Sequence, residues 1–255
     1  VTSRTFVKSA PTAPDGYPAE AAGLAWLAAA GGARIARVVD VSSDRIVIER
    51  IDEVRADAAA AEAFGSALAV THRAGAAGFG SAPDGWNGRL FIGRRDMPAA
   101  REATWGRFYA RDRVLPFLAA AERVGSVTNR EAAVVRSACA LIAEGFFDDG
   151  EPPARIHGDL WSGNVLWGRT GVVLIDPAAH GGHRETDLAM LHLFGCAFLD
   201  DVIAGYDAAW PLAHGWAGRL PLHHLHPLAV HAAGHGRRYG VALAHAAREV
   251  LALAE

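Results

Sequence analysis

Residues 157–164 read HGDLWSGN, and residues 172–178 read VVLIDPA. A His-Gly-Asp, an Asn shortly after it, and a second Asp closing a β-branched apolar run are the parts of a phosphoryl-transfer site. Asp159 is the candidate base. A hydroxyl has far too high a pKa to lose its proton to a carboxylate in the ground state. The carboxylate can still orient the oxygen and take the proton late, help worth roughly 10²–10⁴ in rate. Asn164 and Asp176 offer the hard oxygens that magnesium prefers, so they are the candidate metal ligands beside a nucleoside triphosphate such as ATP. Asp159 and Asp176 would repel each other without a cation between them, and Mg2+ removes that repulsion. Taken singly, each would be an ordinary turn or cap residue; the spacing argues otherwise.

Working outward, His157 reads as a backbone holder rather than a chemical group. Trp161 lies just past the base and is placed to face a sugar ring, whereas Trp105, Phe108 and Tyr109 read as core. In GGHRETDLAM, Asp187 opens a helix and can accept backbone N–H bonds from the catalytic loop, with Arg184 and Glu185 as neighbouring support and Thr186 as the helix cap. Upstream, RTFVK (4–8) is a strand ending in Lys8, and Glu20 stands near the start of the next helix. A strand lysine reaching the phosphates, held by a helix glutamate, is the second half of a kinase pattern. IVIERI (46–51) closes the small lobe, and the backbone of Glu49 and Ile51 is placed to meet the edge of an adenine ring.

The remaining pattern predicts a helix over 18–30 stopped by Gly31-Gly32, then a hairpin of 35–41 and 45–51 turning at Ser42, Ser43 and Asp44. A helix over 55–74 precedes a long loop, 75–98, rich in Gly, Pro, Asp and Asn; loops of that length usually carry function. Helices follow over 101–123 and 129–147, short strands over 164–167 and 171–175, then helices near 186–198, 201–210, 220–234 and 238–254. The fold class is therefore α+β, a protein-kinase-like two-lobed fold. Residues 1–53 form a small mixed N-lobe and residues 54–255 a large, mostly helical C-lobe.

The 255 residues are 51% hydrophobic and 21% charged, with a net charge of −3, which argues against a nucleic-acid binder driven by phosphate neutralisation. No uninterrupted apolar run is long enough for a membrane span, and no basic-then-apolar leader opens the chain. The expectation is a cytoplasmic monomer, with Cys139 and Cys196 as buried thiols in a reducing compartment. Of the 12 histidines, His223, His224, His226, His231 and His235 cluster late but lack H-E-x-x-H or a Cys partner. They read as a helix with one or two histidines near a substrate mouth, not as a zinc site.

HGDLWSGN, IDPA, HRETDLAM and LFG together resemble the fructosamine kinase (ketosamine-3-kinase) family. The wider aminoglycoside phosphotransferase and choline kinase group shares the HGD…N…D skeleton, but the LWSGN and DPA…RE.DLAM wording is that of the fructosamine branch. FVK and AEAAGLAWL resemble the family's small lobe, FIG…W..FYARDRVLPFL its central helices, and HPLAVH…HGRRYG its C-terminal segment. The resemblance implies ATP-dependent phosphorylation of the 3-hydroxyl of a ketosamine, such as a fructosamine or ribulosamine on lysine. The 3-phosphate then eliminates and frees the amine, which is deglycation. It implies Asp159 as base, Asn164 and Asp176 on magnesium, and Lys8 on phosphate. Family members begin with two further strands and a glycine-containing loop over the ATP phosphates, whereas this chain opens almost at the lysine strand. The span from Lys8 to Glu20 is also short for a strand-to-helix crossing. An antibiotic or amino-alcohol kinase of the same fold is the competing enzyme reading, although aminoglycoside pockets need several carboxylates and 75–98 holds few. A pseudokinase binding module is the third, and intact Asp159, Asn164, Asp176 and Lys8 argue against it.

Overall fold

The computed structural model describes residues 4–11 and 13–254. The chain opens with β1 (Thr5–Ser9), α1 (Gly16–Ala28), β2 (Arg34–Ile35), β3 (Val38–Val41) and β4 (Arg45–Glu49). β4 is central, antiparallel to both β1 and β3, and its alternating Ile46 and Ile48 are buried. The predicted hairpin is present, but its first arm splits. β2 leaves it and pairs in parallel with Val173 and Leu174, far downstream. α2 (Ala58–Arg73) starts where Asp57 accepts the Ala60 amide, and Ala61, Phe64 and Leu68 give it a buried face.

The 75–98 segment is not all loop. It carries a two-stranded hairpin, β5 (Leu90–Ile92) and β6 (Arg95–Met97), which the charged sequence of β6 conceals. α3 (Trp105–Phe108), a π-helical turn (Tyr109–Val114) and α4 (Leu115–Arg123) then run on as one rod. α5 (Asn129–Ala143) begins with a Thr128/Glu131 capping box. β7 (Ala154–Ile156) leads into HGDLWSGN; β8 (Val165–Gly168) and β9 (Gly171–Leu174) form the hairpin leading to Asp176; β10 (His180–Gly182) pairs back onto β7. Last come α6 (Arg184–Phe194), α7 (Leu199–Ala209), α8 (Leu220–His235) and α9 (Arg237–Ala252).

Two cores hold this together. One is helical, built around Phe108, Leu118, Ile142, Leu225 and Leu243. The other joins Leu24, Ile46, Phe64, Leu160, Val173, Leu188 and Tyr206, and so ties the first sheet to the strands flanking the signature. α2 and α7 meet backbone to backbone. A Cβ on Gly65 would strike the Val202 carbonyl, and one on Gly205 the Glu62 carbonyl.

Proline inside α8 has a specific answer. Pro227 has no N–H, so the His223 carbonyl one turn earlier has no helical partner. The Tyr109 hydroxyl donates to that carbonyl (2.8 Å) and accepts from the His226 amide (3.0 Å). Tyr109 is fully buried, so no water can replace it. Tyr109→Phe is expected to destabilise the fold by roughly 1–3 kcal/mol, the cost of an orphaned buried acceptor. Equilibrium urea denaturation measures it, and an unchanged midpoint would show that the carbonyl finds another donor.

Candidate active site

The two sequence signatures meet in one cavity of about 530 Å³, whose lining includes Lys8, Glu20, Asp159, Trp161, Asn164 and Asp176. Lys8 ends its side chain between two carboxylates, 2.6 Å from Glu20 Oε1 and 2.5 Å from Asp176 Oδ1. The short span from Lys8 to Glu20 is therefore sufficient. β1 is an edge strand, and α1 packs against β3 and β4 of the same sheet. Burial opposes the charge on Lys8, but Glu20 and Asp176 outweigh it and the pKa is raised. Burial also raises Glu20, with Lys8 opposing.

Asp159 and Asn164 are held by the turn between β7 and β8. Asn164 Nδ2 donates to the Asp159 carbonyl (2.7 Å), to Asp159 Oδ2 (3.3 Å) and to the Asp176 carbonyl (3.4 Å), linking the two signatures. Burial pushes the Asp159 carboxyl up to about 7; the Asn164 hydrogen bond lowers it, while Asp176 and Asp187 add to the rise. Asp176 lies in the left-handed region (φ 54°), a conformation Asp tolerates better than most residues, and so turns out of β9 toward Lys8. Trp161 is 41% exposed and folds over Gly163, where a Cβ would meet the indole.

Behind the loop, Asp187 is fully buried. It accepts the amides of His157 (2.7 Å) and Gly158 (2.9 Å), and His72 Nε2 donates to it (3.2 Å). Burial works against its charge, but these donors hold its pKa below the usual carboxylate range. His157 is desolvated and its pKa is lowered. Its Nδ1 accepts from the Asp159 amide (3.3 Å), so Nε2 donates to the Ile175 carbonyl (2.9 Å). The sequence reading missed His72, which carries no motif; its place in the last turn of an amphipathic helix looks like core.

Other expected residues go elsewhere. The Glu49 amide donates to the Arg37 carbonyl (2.9 Å), and its carboxylate accepts from Arg34 (3.2 Å) rather than facing the cavity, because β4 is a central strand whose end is already paired. Ile51 packs on the second core, and neither residue lines the cavity. Arg184 pairs with Glu151 (2.6 Å) and stacks on Trp210, and Glu185 pairs with Arg219 (2.5 Å), so both brace the base of α6 away from the cavity. His183, not Thr186, caps α6; Thr186 Oγ1 meets His223 Nδ1 instead (3.0 Å). His183, Glu185 and His223 lie close enough to share a cation. Arg219 takes both Glu185 oxygens and is the cation that fills that role. Cys139 is buried and Cys196 partly exposed, both as free thiols.

The fold is protein-kinase-like. An aminoglycoside phosphotransferase structure superposes with a TM-score of 0.59 at 16% identity, covering 98% of this chain and 84% of its own, which shows the shared fold. The fructosamine kinase family model matches residues 1–253, and the chain belongs to that family. A "putative fructosamine-3-kinase" from Thermobifida fusca is 43% identical with a TM-score of 0.90, covering 97% of this chain and 85% of its own. A "probable ketoamine kinase" from Enterococcus faecium is 34% identical over 180 residues, 69% of this chain; the chain spans 61% of that relative's length. No helix among the described residues is long and apolar enough to cross a membrane.

Asp187→Ala is expected to cost roughly 3 kcal/mol of stability, since two loop amides and His72 lose their acceptor together. Chemical denaturation measures the loss, and a stability within error of wild type would show that the loop does not depend on this carboxylate.

Proposed function

We propose that this chain transfers the γ-phosphoryl group of ATP to the 3-hydroxyl of a ketosamine, as a cytoplasmic monomer. The observation that carries the reading is the convergence of Lys8, Glu20, Asp159, Asn164 and Asp176 on one cavity, from segments far apart in sequence. In this reading Lys8 holds the phosphates and Glu20 holds Lys8. Asp159 receives the hydroxyl proton as the new P–O bond forms, and Asn164 keeps Asp159 in place. The donor set suits magnesium. Glu20, Asp159 and Asp176 are three carboxylates around one lysine, and the upward shifts of Glu20 and Asp159 reflect burial with too little positive charge beside them. When bound, the ion would rest on Asn164 and Asp176 and offset phosphate charge. A phosphate at C3 lies β to the amine-bearing C1, so proton loss from C1 to give the 1,2-enaminol lets the C3–O bond break with departure of inorganic phosphate, and water then hydrolyses the resulting imine to free the amine. Two free thiols agree with a reducing compartment.

The polycation reading has less support. The second cavity that shares Asp159, described below, offers no other carboxylate to meet an aminoglycoside.

The direct test is ADP release with Mg-ATP and fructosyl-lysine, ribulosyl-lysine, kanamycin or choline. Turnover of the two ketosamines alone is expected, and turnover of kanamycin or choline in their place would overturn the proposal. The base must be ionised, so kcat/KM should climb with pH through about 7 and level off above it. Asp159→Asn should lose roughly 10²-fold or more and flatten that limb. Retention of the limb in the variant would assign it to another group.

A further inference from the structure

A second cavity, about 550 Å³, opens on the far side of the catalytic loop. It shares Gly93, Arg94, Asp159 and Trp161 with the first, and its other walls include Arg95, His231 and His235. Asp159 thus faces both spaces, with Lys8, Glu20 and Asp176 on one side only. A phosphoryl donor in the first cavity leaves the second for the acceptor.

The charge of that second space is distinctive. Its one carboxylate is Asp159, and two arginines line it. Arg95 is engaged, donating to the Ala233 carbonyl (2.5 Å). Arg89, on the same segment, is paired with Asp15 and Asp96. Arg94 is different: it is exposed at the β5–β6 turn, and among the described residues it makes no hydrogen bond or ion pair. A guanidinium is the side chain best shaped to hold a carboxylate by two parallel N–H bonds.

Resting on the kinase reading above, we propose that Arg94 is a specificity residue that binds a carboxylate on the amine portion of the ketosamine. The preferred acceptors are then ketosamines formed on the α-amine of a free amino acid. There the carboxylate trails the reacting 3-hydroxyl by a few bonds and falls within the cavity that Asp159 and Arg94 share.

The test uses two acceptors of nearly equal shape, fructosyl-glycine and fructosyl-glycinamide, which differ in that charge. With wild-type protein and Mg-ATP, kcat/KM should favour fructosyl-glycine by about tenfold or more, the worth of a charge-assisted hydrogen bond. Arg94→Ala should bring the ratio to about one, chiefly through KM, and Arg94→Lys should restore part of it. A wild-type ratio near one would overturn the proposal, as would a ratio that survives Arg94→Ala. An equal fall in kcat on both acceptors with the ratio intact would place Arg94 on the transferred phosphoryl group and overturn it too. Wild-type protein that turns over neither acceptor, nor the lysine ketosamines, would sink the kinase reading itself and this inference with it.

Discussion

A carboxylate cut off from water has to be surrounded by donors, and the catalytic loop is built around one. Asp187 is fully buried. Burying such a group unpartnered would cost several kcal/mol, comparable to the whole stability of many domains. Here the helix that carries it supplies part of the answer, since Asp187 lies in the first turn of α6, where the helix dipole favours negative charge. The rest comes from the amides of His157 and Gly158 and from His72. Gly158 has a positive φ (78°) and approaches the Ala178 carbonyl too closely for any Cβ, so glycine is required there. The same loop then fixes the neighbouring strand end, because His157 donates to Ile175 immediately before Asp176 turns out. One buried charge therefore bears on the positions of two of the three carboxylates that face the cavity, Asp159 and Asp176.

Those acids create a second constraint. Lys8 lies between Glu20 and Asp176, and its positive charge is shared rather than spent on one partner. Asp159 has no lysine or arginine ion pair among the described residues, only the Asn164 amide, so its pKa stays high at about 7. A group in that condition changes its proton affinity sharply when positive charge arrives nearby. Asn164, which bonds to both Asp159 and the Asp176 carbonyl, keeps the two signatures in register.

How much of this the sequence discloses depends on the range of the interaction. HGDLWSGN and IDPA are local patterns whose side chains lie in one cavity, and the helices of the C-lobe follow their apolar spacing within a few residues. Pairings between distant backbones leave no such trace. β7 and β10 are three residues each, and HGG has no strand propensity; only their mutual hydrogen bonds make them strands. The Glu49 amide is likewise committed to the Arg37 carbonyl, because a central strand gives its amides to neighbours that cannot be seen from its own residues. His72 and Tyr109 act through partners more than a hundred positions away, so each looks like core until the fold brings its partner alongside.

The two sides of the HGDLWSGN loop are supported differently. The side toward Lys8 and Asp176 rests on the second core, where Leu160, Val173 and Leu188 are buried and a change in one disturbs the others. The side toward Arg94 and His231 is closed by the tip of a hairpin of two three-residue strands, β5 and β6. Leu90, Ile92 and Met97 anchor that hairpin in the helical core, but Gly93 and Arg94 at its tip are exposed; the positive φ of Gly93 (53°) favours glycine, which leaves the Arg94 side chain as the one free to vary. A side chain at the tip can change without repacking anything beneath it. Loops on a rigid frame are where recognition is most easily revised; under the proposed function the frame would hold the chemistry constant while the tip chose the acceptor.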